Sequence, residues 1–208
     1  MSNHQVPHDD QQGAQLSGLV DLISDAKGKR LADIYLAVTT LFEHQDDAFS
    51  PRERTLATDI LRRLSKDVEM AIRIGLAERL ADNADAPHEL LLLLADDRIE
   101  VARPILLRSA LLSDSDLLHI IEVGSTDHHL AVAIRPLIAE SVTAALAKLE
   151  SEDVLVAMLR NATAKIGHDT FRHLIGRAGT SKALHRPLVD RADLPPALAR
   201  HVYGLVSD

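Results

Sequence analysis

Residues 86–108 read APHELLLLLADDRIEVARPILLR: a leucine-rich helix opened by Ala86-Pro87, an acidic turn at Asp96-Asp97, and a second helix carrying Arg103-Pro104. The apolar positions and these stop and start signals predict a buried helical hairpin. The Arg-Pro pair returns as Arg135-Pro136 and Arg186-Pro187, with Arg160-Asn161 in the equivalent place between them. Together with Arg73, these arginines lie 30, 32, 25 and 26 residues apart, the size of a two-helix repeat.

Other signals fall into the same register. Acidic residues precede the arginines at Asp67, Asp97, Asp127 and Asp153. Second-helix starts follow at Ala86-Pro87, Ser113-Asp114, Ser141, His168-Asp169-Thr170 and Asp193–Pro196, where small polar side chains and proline suit a helix N-terminus. A proline inside a helix removes a hydrogen bond and costs about 3 kcal/mol. Its recurrence at Pro104, Pro136 and Pro187 predicts a kink or helix start common to the units.

Toward the N-terminus the same period continues. Residues 1–13 are polar and without period, and are expected to be a disordered tail. From Ala14, Leu16, Leu19, Val20 and Ile23 make a helical stripe stopped by Gly28, and Leu31 to Phe42 make a second, ended by the polar His44–Asp47. Ser50-Pro51-Arg52-Glu53 is a capping box with proline in the first turn, opening a helix to Leu64; a further helix begins near Asp67. No glycine- or proline-rich linker interrupts the chain. The expected arrangement is residues 14–66 packed on an array of repeats at 67–208, one continuous unit and all-α: N-terminal helices followed by a short right-handed α-solenoid of HEAT-like helical pairs.

Composition narrows the chemistry. Aromatic residues are only 2% of the 208 and tryptophan is absent, so the apolar mass is aliphatic and suits helix-on-helix packing. The absence of cysteine removes disulfides, thiol nucleophiles and thiolate metal ligands, and fits a cytoplasmic location. Residues 1–13 contain no Lys or Arg and no apolar core, so no signal peptide is expected; the longest apolar run, Leu90–Ala95, is far below the ~20 residues a membrane span needs. A net charge of −8 opposes a phosphate backbone, so nucleic-acid binding is not expected.

The segments Ile99–Pro104, Leu111–Asp114 and Gly124-Ser125, within LLLLLADDRIEVARPILLRSALLSDSDLLHIIEVGSTDHHLAVAIRP, resemble a mainly alphaproteobacterial family of HEAT-like helical-repeat proteins of unknown function. The resemblance extends from about Leu56 to Arg160. It implies the fold and brings no catalytic residues.

Eleven histidines are present, but His128-His129 are adjacent and His168 and His173 are five apart, so neither pair shares a helix face as i, i+4 ligands would. His88-Glu89 is the one His-Glu pair, whereas the iron-binding HEAT-repeat hydroxylases, which this architecture resembles, use several. No metal, cofactor or catalytic set is expected. The acidic clusters lie at helix starts, where the helix dipole favours them. The repeat arginines Arg103, Arg135, Arg160 and Arg186 remain as candidate partner-binding residues. The competing role is structural, each arginine satisfying a neighbouring turn, and for Arg103, beside its proline, it predicts a loss of about 1–3 kcal/mol on Arg103→Ala. The expected function is a non-enzymatic protein-interaction module or adaptor in bacterial regulation, with self-association compatible. The alternative is an enzyme whose site, between the N-terminal helices and the repeats, draws on His88, His128 or His173.

Overall fold

The computed structural model describes residues 29–44 and 50–206, and within them the chain is helical with no strand. The expected tail and the helix expected at Ala14–Gly28 lie outside the described residues. Contacts divide the chain into two units, 1–94 and 95–208.

The first unit holds α1 (Lys29–His44), α2 (Pro51–Leu64), α3 (Met70–Leu80) and most of α4 (His88–Ala95). The start of α2 is written locally. The Ser50 side chain accepts from the Glu53 amide, and Glu53 accepts from the Ser50 amide at 2.8 Å, with Pro51 at the first helical position. The hydrogen bond from the Ser50 hydroxyl is the main cause that holds the Glu53 carboxyl below its ordinary range. Tyr35 and Val38 of α1 and Ala57, Ile60, Leu61 and Leu64 of α2 are buried where the two helices pack.

The second unit continues with α5 (Ile99–Arg108), α6 (Asp114–Val123), α7 (Thr126–Ile134), α8 (Glu140–Leu146), α9 (Glu152–Arg160), α10 (His168–Ala178), a 3-10 turn at Lys182–Leu184, α11 (His185–Val189) and α12 (Pro196–Val206). Alternate helices pack on one another. α5 lies against α7, α7 against α9 and α9 against α11, while α6 lies against α8 and α10 against α12. The buried patterns differ between the two rows for that reason. In α5 the core residues are Val101, Ala102, Ile105 and Leu106, and in α9 they are Val154, Leu155, Met158 and Leu159, a broad i, i+1, i+4, i+5 stripe. Such a stripe suits a helix flanked on more than one side. α6 buries the narrower Leu117, Ile120 and Ile121.

Local signals set the starts in this unit too. Ser113 caps α6 in a second capping box, with Asp116 at the third helical position. Ser125 caps α7 in a third, in which His128 takes the part of the acid. The turn from α6 to α7 is tight: a Cβ on Gly124 would stand 2.5 Å from the Ile120 carbonyl oxygen and 2.9 Å from the His128 Cβ.

The three Arg-Pro pairs do not occupy one structural place. Pro104 is buried inside α5, and the carbonyl it leaves without an amide partner belongs to Glu100, an exposed residue that water reaches. Pro136 follows the C-cap of α7, outside any helix, and Pro187 lies in the first turn of the short α11. The proline recurrence therefore reflects three separate solutions rather than a kink common to the units.

Candidate functional site

The residues that close the α5, α7, α9 and α11 helices form a hydrogen-bonded ladder through the second unit. Arg135, the C-cap of α7, is buried and donates from its guanidinium to the Leu106 carbonyl at 2.6 Å and to the Ser109 carbonyl. Asn161, the C-cap of α9, donates its side-chain amide to the carbonyls of Ala133 at 2.9 Å and Arg135 at 2.7 Å. Arg191, just after α11, donates to the carbonyls of Asn161 at 2.6 Å and Ala164 at 2.8 Å. A helix end leaves carbonyls without amide partners. Each rung supplies them from the next unit.

Arg191 is also gripped by Asp193, through Nε to Oδ1 at 2.7 Å and Nη2 to Oδ2 at 2.6 Å, a bidentate pair. Burial pulls the Arg135 guanidinium below the ordinary arginine value. Even so, a displaced arginine remains cationic at neutral pH.

Several histidines fill similar places. The Asp97 carbonyl can only accept, so His128 Nε2–H donates to it at 2.9 Å; Nδ1 then accepts from the Ser125 amide at 3.3 Å, which fixes the neutral tautomer. His173 donates to the Ala147 carbonyl at 3.1 Å and His185 to the Ala178 carbonyl at 2.8 Å. Each thus serves a different carbonyl. Among the described residues no three His, Asp or Glu side chains group to hold a metal ion.

The four arginines singled out in the sequence fall into different environments. Arg103 is exposed on α5, and Arg135 is the buried rung. Arg160 and Arg186 meet on one cleft of about 450 Å³ at the C-terminal ends of α9 and α11. Leu159 and Pro187 give it apolar wall, and Arg191 with Asp193 closes it. Arg186 is paired with Asp190 at 2.8 Å, and that hydrogen bond raises its pKa further. Arg160 is exposed and has no hydrogen bond or ion pair among the described residues.

Three guanidiniums against two carboxylates leave the cleft with a formal charge of +1. Two helix C-termini meet there, and the negative ends of their dipoles would ordinarily repel an anion. The buried Arg191 guanidinium offsets that field. Arg160 is the exposed cation of the cleft that is not paired with one of its carboxylates.

Other depressions are less free. On α10, Arg172 pairs with Asp169 at 3.0 Å and Arg177 donates to the Leu149 carbonyl at 2.9 Å, so both cations lining that surface have partners. The rungs Asn161, half-buried, and Arg191, buried, are not among the four arginines singled out in the sequence. A signal was present: Ser109, Arg135 and Asn161, the C-caps of α5, α7 and α9, are spaced by a constant 26 residues.

Among the described residues, a helical chain with a hydrogen-bonded ladder and a cationic cleft is what the fold and its surface define. Residues 101–208, just over half of the chain, match the family described as "Uncharacterised protein conserved in bacteria (DUF2336)", and the chain belongs to that family. No curated protein and no solved structure matches it. No described helix is long and apolar enough to cross a membrane.

Proposed function

We propose that the protein is a non-enzymatic interaction module, a short solenoid of HEAT-like helical pairs acting as a cytoplasmic adaptor in bacterial regulation, with its relatives mainly alphaproteobacterial. The alternate-helix packing and the ladder at a near-constant step support the repeat reading. The observation that carries the binding reading is Arg160, an exposed guanidinium without a partner among the described residues, on a cleft with apolar wall. Arg186 stands beside it. Arg103 lies apart on α5, and Arg135 contributes by holding the frame.

The test is affinity capture from bacterial lysate with the wild-type chain and with Arg160→Glu/Arg186→Glu. The double reversal should abolish capture of the specific partner while leaving the circular dichroism spectrum and melting temperature intact. Undiminished capture by the reversed chain would refute the assignment of this cleft.

A further inference from the structure

Leu137 is the one non-glycine residue with positive φ among the described residues, at 59°, and it is 76% exposed. A leucine is strained in the left-handed region, where glycine or asparagine would sit easily. No burial compensates this one. What holds it is the ladder: the Leu137 amide donates to Thr163 Oγ1 at 3.0 Å, and that hydroxyl donates to Asn161 Oδ1 at 2.7 Å. Asn161 in turn grips Arg135, two residues before Leu137. The frame that stitches α7 to α9 thereby clamps an apolar side chain in an unfavourable backbone pose facing solvent. Ile134, 47% exposed, and the exposed Pro136 flank it. Arg160, which lines the cleft, immediately precedes Asn161, the residue that bonds the Arg135 carbonyl.

Strained residues held by surrounding structure concentrate where ligands are gripped. Resting on the adaptor reading above, we propose that this edge recognises an extended acidic-apolar segment of the partner, with apolar side chains on Ile134 and Leu137 and a carboxylate on Arg160. Charge complementarity selects the acid: Arg160 is the uncommitted cation of a cleft whose other two guanidiniums are paired with Asp190 and Asp193. Spacing follows from packing. α7 lies against α9, packed helices are about 8–10 Å apart and an extended chain advances ~3.3 Å per residue, so about three residues separate the apolar and acidic anchors.

The probe is a set of end-blocked Gly/Ser peptides carrying Leu-Leu and Glu-Glu separated by zero to five residues, with Lys-Lys replacing Glu-Glu in a control set. They are titrated to millimolar concentration into the isotope-labelled full chain and followed by amide NMR shifts. Shifts should centre on 134–137 and 160–163, be largest at a separation of two to four, and be absent with the lysine peptides. Leu137→Asn and Arg160→Glu should each weaken binding at least tenfold, and Leu137→Asn should melt at or above the wild-type temperature.

Equal binding of acidic and basic peptides, shifts confined elsewhere, or no shifts at all would overturn the proposal. So would self-association of the wild-type chain that Leu137→Asn abolishes, because the occupant would then be a second copy. Partner capture lost in Arg160→Glu/Arg186→Glu but unchanged in Leu137→Asn would sink this inference while leaving the adaptor reading standing.

Discussion

Asn161 donates its side-chain amide to the carbonyl of Arg135 at 2.7 Å, 26 residues earlier, and its own carbonyl accepts from Arg191 at 2.6 Å. The residue that ends α9 therefore ties the end of α7 to the end of α11. Its Oδ1 also accepts from Thr163, so all the polar atoms of the side chain take part in holding neighbouring loops.

Asn161→Ala leaves the Ala133 and Arg135 carbonyls without their amide donor, and each such loss costs about 1–3 kcal/mol. Urea unfolding should show a loss of about 2–4 kcal/mol with an unchanged m-value. A change below about 0.5 kcal/mol would mean that water replaces the rung without cost.

Arg191→Ala and Arg160→Ala separate frame from surface. The Arg191 side chain is 5% exposed and grips Asp193 and the Asn161 and Ala164 carbonyls, so its loss should cost about 3 kcal/mol or more. Arg160→Ala and Arg103→Ala, both at exposed positions, should stay within about 0.5 kcal/mol of wild type in thermal or urea melts. Equal losses in all three would contradict the division of labour.

Gly124→Ala introduces a Cβ 2.5 Å from a backbone oxygen and 2.9 Å from the Cβ of the next helix, neither of which can swing aside. The α6–α7 turn must open. A destabilisation of about 1–3 kcal/mol is expected, the range for overpacking. A Gly167→Ala control meets only the end of the flexible Glu140 side chain, and it should cost visibly less by differential scanning calorimetry.

Acid should weaken the fold partly through His129. Its Nε2 is buried with no hydrogen-bond partner among the described residues, and desolvation holds its pKa below the ordinary value, outweighing a hydrogen bond with the Ile121 backbone. The folded state therefore binds its proton less readily than the unfolded chain, whose histidine titrates near ~6.5. This contribution is fully present above that value and declines as pH falls through it. His129→Gln should flatten the stability profile measured by urea melts between about pH 7 and 5; an unchanged slope would show that the group is neutral to folding.

Ser50→Ala removes one half of the α2 capping box and should cost about 1 kcal/mol, with α2 amides losing hydrogen-exchange protection first. Unaltered protection at Arg52 to Arg54 would contradict a capping role.

The helices were legible in the sequence because their signals are local. Ser50 with Glu53 and Ser113 with Asp116 lie within one turn of each other, and the aliphatic period needs no knowledge of the partner helix. The starts at His88, Asp114, His168 and Pro196 fall where caps and prolines predict them. The match over residues 101–208 agrees with the family likeness carried by Ile99–Pro104 and Gly124-Ser125 as far as a bacterial family goes.

What the arginines do was decided only by the tertiary structure. Arg135 and Arg160 both stand at the end of an aliphatic helix, yet one is a buried rung and the other faces solvent. A one-residue difference separates them: Arg160 is the last residue of α9, while Arg135 is the C-cap of α7, the place that Asn161 takes in the next unit. That offset changes which side of the turn meets the preceding loop. Local periodicity gives a helix its apolar stripe, but the acceptor of each rung lies about 26–32 residues away in sequence. Burial of a terminal side chain depends on where that distant loop arrives, which chain packing alone determines.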